Sequence, residues 1–171
     1  MKTLEELNQY IERWAHERKL DKEATKEAQS VKTAEEFAEL IIGISKNKDD
    51  LIKDSIGDVY VTLIVGNLVQ NKVDLVEIYK KAEKDFKDIR YSFQKGDKRN
   101  MIKAIASCMR EIATIGYTEN SIGMTVMNLM GIANLYSLTL NECVEAAYKE
   151  IANRKGRIIN GQFVKQEDLP C

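Results

Sequence analysis

The sequence predicts an all-α protein, a bundle of about six or seven helices. Three observations carry this expectation. Apolar residues recur at spacings of three and four rather than two through most of the chain. The single proline, Pro170, stands at the very end, so no proline interrupts a helix before it. Turn pairs such as Asn-Gly are few.

The first helix is expected over roughly 3–19, with Leu4, Leu7, Ile11 and Trp14 as its apolar stripe. "DKEATKEAQSV" leads into a second over roughly 23–46, with a break near residue 30. A third spans roughly 49–70, with Asp49 and Asp50 as capping candidates. A fourth covers roughly 73–94, and "QKGDKRN" ends it. A fifth runs over roughly 98–116. A sixth from Ser121 to about Tyr136 precedes a last helix over roughly 139–154, with Thr139 or Asn141 near its N-cap. Asn160-Gly161 predicts a small hairpin in the tail 156–171.

The chain of 171 residues is long enough for one domain with a real core. Hydrophobic residues make up 44% and charged residues 31%, a globular balance. A net charge of -1 argues against broad electrostatic binding of nucleic acid, which needs a basic surface. Cys108, Cys143 and Cys171 are widely spaced and form no CxxC pair, so reduced thiols in a cytoplasmic protein are expected. "MKTLEELNQY" lacks the apolar core of a signal peptide. The apolar run "VYVTLIVGNLV" extends for about 11 residues, too short for a bilayer, so no membrane partner is expected. With one histidine, His16, neither a histidine triad nor a two-histidine zinc site is available within one chain. Chemistry must rest on carboxylates, amines, guanidinium groups and hydroxyls.

Glu36 and Glu39 are three apart and share a helix face, with Glu35 beside them; Asp54 and Asp58 are four apart on the next helix. "SKNKDD" is a short connection, so the two helices should be antiparallel neighbours whose acidic faces meet. Converging carboxylates repel unless a cation neutralises them, and hard oxygen donors select Mg²⁺ or Mn²⁺. A solvated helix face is the alternative. Gly57, beside Asp58, costs about 1 kcal/mol in a helix relative to alanine, so it marks either a close helix approach or the site itself. An internal echo links "SIGDVYVTLIVGNL" at 55–68 to "SIGMTVMNLMGIANL" at 121–135. Under that alignment Met124 answers Asp58, while Met101, Ile102 and Ile105 answer Glu35, Glu36 and Glu39, so a second copy would hold no cation. A real echo would let one chain form a pseudo-dimeric bundle.

"QSVKTAEEFAEL" followed by "KDSIGDVYVTLIVGN" resembles the all-α nucleoside triphosphate pyrophosphohydrolase superfamily in its MazG-like branch. "IERWAHERKL" and "YKEIANRKGRIINGQFVK" are similar to the start and end of MazG-like proteins, many of them phage-encoded. The likeness covers about 10–70 and 120–166 and leaves roughly 72–119 without a counterpart. It implies a single domain over 1–171, binding of Mg²⁺ or Mn²⁺, and cleavage of a nucleoside triphosphate to a monophosphate and pyrophosphate. It also implies a homo-oligomer, dimer or tetramer.

By position, Glu36 and Glu39 match the family's first acidic pair, Asp58 its final aspartate, and Glu35 an additional glutamate. The implied catalytic set is Glu35, Glu36, Glu39 and Asp58, with Glu35 or Glu39 as base; the implied metal set is Glu36, Glu39 and Asp58, with Asp54 able to reach in. Ser55 departs from the pattern, standing where a third metal carboxylate is expected, and a hydroxyl brings no charge. Lys32, Lys53, Lys149, Arg154 and Arg157 are candidate phosphate partners, and Asn67 matches a family asparagine near the nucleotide. A catalytically weak nucleotide-binding or regulatory protein is the alternative function. Tyr60 and Tyr148 are placed in packing ahead of base stacking.

Overall fold

The computed structural model describes residues 2–70, 72–88, 93–94 and 96–169, and the side chains of 87 and 88 are not among them. Pro170, Cys171 and the end of the expected fourth helix, 89–92, lie outside the described residues.

Eight helices and one two-stranded ribbon make up the described chain: α1 Leu4–Glu17, α2 Leu20–Glu23, α3 Lys26–Lys46, α4 Asp49–Val69, α5 Leu75–Asp88, α6 Lys98–Thr114, α7 Glu119–Leu135, α8 Leu140–Ile151, β1 Gly156–Ile159 and β2 Gln162–Lys165. The all-α expectation holds. Two details differ. The second helix starts at Lys26 behind the Thr25 cap and runs unbroken through residue 30. Its continuity is fixed there by buried polar bonds: Gln29 Nε2 donates to the Thr62 carbonyl at 3.2 Å, and Thr33 Oγ1 to the Gln29 carbonyl at 3.0 Å. Lys48, not Asp49 or Asp50, is the N-cap of α4 and makes no side-chain cap bond. The two aspartates occupy the first turn instead, where carboxylates meet the positive end of the helix dipole.

Two helices, α4 and α7, are apolar nearly all round and form the centre. Each packs against the helix preceding it, α3 on α4 and α6 on α7. Each also packs against the helix that follows the other: α8 lies on α4, and α5 on α7. Exchanging the two halves maps this set of pairings onto itself, with α3 against α6 closing the bundle. The caps agree. Asp74 Oδ1 accepts from the Val76 and Glu77 amides at the start of α5. Thr139 does the same work for α8 through a reciprocal box with Glu142. The echo in the sequence is therefore expressed as a three-helix unit, α3–α4–α5 and α6–α7–α8, whose third helices cross over. The two copies are also bolted together by Tyr117, whose buried hydroxyl lies 2.6 Å from Thr33 Oγ1.

The core combines Phe37, Leu40 and Ile44 of α3 with Ile52, Ile56, Leu63 and Ile64 of α4, all at most 1% exposed. Each such burial stabilises by about 1.5–3 kcal/mol before entropy is counted. Cys108 and Cys143 are buried free thiols within it, and burial pushes the Cys143 thiol up to about 12. The Asn160-Gly161 turn forms as expected, both residues at positive φ, with Ile159 opposite Gln162. The ribbon is held by Phe163, edge-on to Trp14 at 5.7 Å, and by the Gly161 carbonyl, which accepts from the Thr25 amide at 3.1 Å. Among the described residues no helix is long and apolar enough to cross a membrane.

Candidate functional site: an acidic groove with a basic end

The surface of α4 between α3 and α8 carries Asp54 and Asp58. A four-residue step keeps both on one face, and neighbouring Gly57 faces α8 instead. A methyl group added at Gly57 would collide with the Cys143 carbonyl and stand 2.8 Å from Ala147 Cβ. Gly57 is thus the close-approach glycine, and it acts on the site by drawing α8 down beside the aspartates.

Glu36 and Glu39 reach the groove from α3. Glu36 is 6% exposed, and its Oε1 lies 2.6 Å from Lys32 Nζ, one turn earlier on the same helix. The same ammonium lies 3.1 Å from Glu35 Oε2. Burial pulls the Lys32 ammonium down, but pairing with Glu36 and Glu35 outweighs it and leaves the group raised.

The aspartates have no such cation, and among the described residues neither makes an ion pair. Burial, then the negative charges of Glu36, Asp54 and Glu150, push the Asp58 carboxyl up to about 7, against a smaller pull from Arg154. Burial, Glu150 and Glu36 raise Asp54, opposed by Arg154 and Lys165. Burial and Glu36 raise Glu39, with Lys32 and Lys165 opposing. Five carboxylates from three helices thus share one field: Glu36 and Glu39, Asp54 and Asp58, and Glu150.

Glu150 and Lys165 were not singled out in the sequence, and both belong here. Glu150 pairs with Arg154 one turn on. Those two side chains, with Asn153, Lys155, Lys165, Gln166 and Glu167, line a cleft of about 380 Å³ where α8 meets the ribbon, three bases against two acids. Arg18 shapes that end of α8: its guanidinium stacks over Trp14 and donates to the Arg154 carbonyl at 2.8 Å. The groove therefore runs from an acidic wall to a basic mouth.

The other candidates fall elsewhere. Lys53 faces the start of α8, where its charge acts on Glu142 and Cys143. Lys149 pairs with Glu145 at 3.4 Å, and Arg157 is exposed on β1. Asn67 is buried and bonds both ways with the Val73 backbone at 2.9 Å, fixing the α4–α5 turn rather than facing the groove. Tyr60 donates to Asn8 Oδ1 at 3.0 Å and Tyr148 stacks on Tyr10, so both pack.

The donor chemistry suits a hard divalent cation, since every acid in the groove is a carboxylate. Ser55 fits as well: it is fully buried, and among the described residues its hydroxyl finds no hydrogen-bond partner, a costly state for a polar group. The donors are not drawn together, however. Among the described residues no three acidic, histidine or cysteine side chains sit at metal-holding geometry, and the ammonium of Lys32 is seated on Glu36.

A cavity of about 440 Å³ lies between α5 and α7. Its Asp85, Asn120 and Met124 occupy the positions answering Glu150, Asp54 and Asp58. Of the residues answering those three, only Asp85 is acidic; the cavity's other acids, Asp74, Glu77 and Glu119, answer none of them.

No family model matches the chain, and no solved structure matches it. It is 32% identical over 162 residues to the uncharacterized 18.2 kDa protein in the rep-hol intergenic region of Haemophilus phage HP1 (strain HP1c1), across 86% of this chain and 99% of that protein. The chain belongs to the family of that phage protein.

Proposed function

We propose that the protein is a divalent-cation-dependent nucleoside triphosphate pyrophosphohydrolase. The observation that carries the reading is the groove itself: carboxylates at Asp54 and Asp58 that make no ion pair among the described residues, walled by Glu36 and Glu39, opening onto Arg154 and Lys165. A metal–triphosphate complex has the matching charge order, cation at one end and anionic oxygens at the other.

Glu36, Glu39 and Asp58 would hold the ion, with Asp54 beside them. Mg²⁺ bound there would neutralise phosphate oxygens and acidify a water. Of the two candidate bases, Glu39 is favoured over Glu35. Its carboxyl is raised and carries no ion pair among the described residues, whereas Glu35 is engaged by Lys32. Water would add at the α-phosphorus, and Arg154 and Lys165 would hold the charge on departing pyrophosphate. Dimers or tetramers, implied by the resemblance, are not needed to assemble this bundle, because one chain carries both three-helix units.

A pyrophosphate-release assay over canonical and modified ribo- and deoxynucleoside triphosphates, with and without Mg²⁺, tests the reading. Pyrophosphate should appear only with the metal, and Glu36→Ala should lower its release by about 10²-fold or more. Orthophosphate as the first product would sink the proposal. Ser55 favours a second reading: with no third family carboxylate and a buried, unpartnered hydroxyl, the site would bind nucleotide with Mg²⁺ and not turn it over. Saturable binding without any pyrophosphate would select that alternative.

A further inference from the structure

Among the described residues Lys32 is the one side chain whose cation is seated directly on the groove's most buried carboxylate. An ion pair four residues apart on a helix is commonplace on a wet surface. This one differs in its setting. Glu36 is 6% exposed, its Oε1 is 2.6 Å from Lys32 Nζ, and its negative charge is felt by Glu39, Asp54 and Asp58 on two helices. The ammonium therefore offsets the charge of Glu36, the carboxylate a divalent ion would also draw on. Two cations held by one carboxylate repel, so each weakens the other's hold on Glu36.

We infer that Lys32 is a tethered counter-cation that holds Glu36 in the metal-free protein, competes with the divalent ion, and on displacement becomes a phosphate donor in the same groove. The inference rests on the metal site proposed above. Lys32 is a positioning residue in the first state and a binding residue in the second. Its side chain suits the exchange: an ammonium is a point charge on a flexible four-carbon stem, able to change partners without the fixed fork of an arginine. Glu35 gives it a second, exposed partner at 3.1 Å, so the ammonium need not be stranded as it leaves Glu36. No covalent step is involved; one ion replaces another.

The inference separates metal binding from anion binding at a single residue. In Lys32→Met, Mn²⁺ alone should bind about tenfold more tightly than in the parent, because the competing ion pair is gone. The free Mn²⁺ resonance signal during titration of the full chain reads this directly. Lys32→Arg, which restores a cation at the same place, should return the affinity towards the parent value. With Mn²⁺ saturating, inorganic pyrophosphate should bind several-fold more weakly to Lys32→Met than to the parent.

Each outcome bears on a different part. Equal Mn²⁺ affinity in parent and Lys32→Met would overturn the competition and leave the metal site standing. Failure of both proteins to bind Mn²⁺ would remove the metal site and this inference with it. Tighter Mn²⁺ binding with unchanged pyrophosphate affinity would overturn the second role. Should Lys32→Met not fold, tighter Mn²⁺ binding in the charge-free Lys32→Gln, reversed in Lys32→Arg, carries the same decision.

Discussion

Asp58→Asn is expected to remove pyrophosphate release and, in the same protein, to raise the stability of the metal-free form at pH 8. The two effects share one cause. Asp58 is held among Glu36, Asp54 and Glu150, and burial with their charge puts its carboxyl at about 7. An unfolded aspartate titrates near 3.9. Between these values the folded state keeps a proton that the unfolded state has lost, so stability falls as pH rises. The stabilising contribution is complete below about 4 and is lost as pH rises through about 7.

The full linkage is about 4 kcal/mol, and the partial water access of Asp58 trims it to roughly 1–3 kcal/mol. An amide at this position has no charge to strain, so the variant should melt higher than the parent at pH 8 and more nearly alike at pH 5. Melting curves in a chelator over that range measure it. Release of pyrophosphate should fall by about 10²–10³-fold, the usual scale for losing one electrostatic contact in a transition state. A variant with the parent's pH slope would show that Asp58 is not the strained group. One that kept full release would remove it from the reaction.

The position of the helices was legible because it depends on local rules: three-and-four spacing, Thr139 with its capping box, and the Asn160-Gly161 turn. What escaped was tertiary. The sequence reading places a break near residue 30, but Gln29 and Thr33 bond to α4 and to the helix itself and keep it continuous. In the groove, Glu36, Glu39, Asp54 and Asp58 follow from spacing on two adjacent helices. Glu150 and Lys165 come from α8 and β2, more than 80 residues further on, and only the crossover of α8 onto α4 brings them in.

Signals for both were present. Glu150 stands four residues before Arg154, the ordinary ion-pair step. A two-residue turn at Asn160-Gly161 fixes Lys165 opposite Gly156, hence close to Arg154 and Lys155. Asn67 misled in the opposite sense. Its type and distance from Asp58 match an asparagine of the proteins the sequence resembles, yet nine residues along a helix is about 13–14 Å, and at that distance its amide is absorbed by the Val73 backbone.

The sharpest test of the exchanged halves is a matched pair of glycine substitutions. Gly57 and Gly123 hold the same place in the two copies, each where the crossing helix approaches. Were the copies packed alike, alanine would cost the same at both. They are not. A methyl group at Gly57 meets the Cys143 carbonyl and Ala147 Cβ, backbone and a short side chain that cannot swing away. At Gly123 the nearest atom is a methyl group of Ile78 at 3.7 Å, ordinary van der Waals contact. Gly57→Ala should therefore cost about 1–3 kcal/mol, since overpacking of this kind forces the helices apart. Gly123→Ala should be neutral or slightly stabilising, because alanine gains about 1 kcal/mol of helix propensity over glycine. Urea melts of the two variants decide it. The consequence for function follows from where α8 sits: pushing it off α4 carries Glu150 and Arg154 away from Asp54 and Asp58. Gly57→Ala should thus lose pyrophosphate release beyond its loss of folded protein, while Gly123→Ala, whose methyl group enters only the hollow between α5 and α7, keeps it. Equal cost at the two glycines would mean that α8 and α5 approach their partners equally closely, and that the groove's shape does not depend on Gly57.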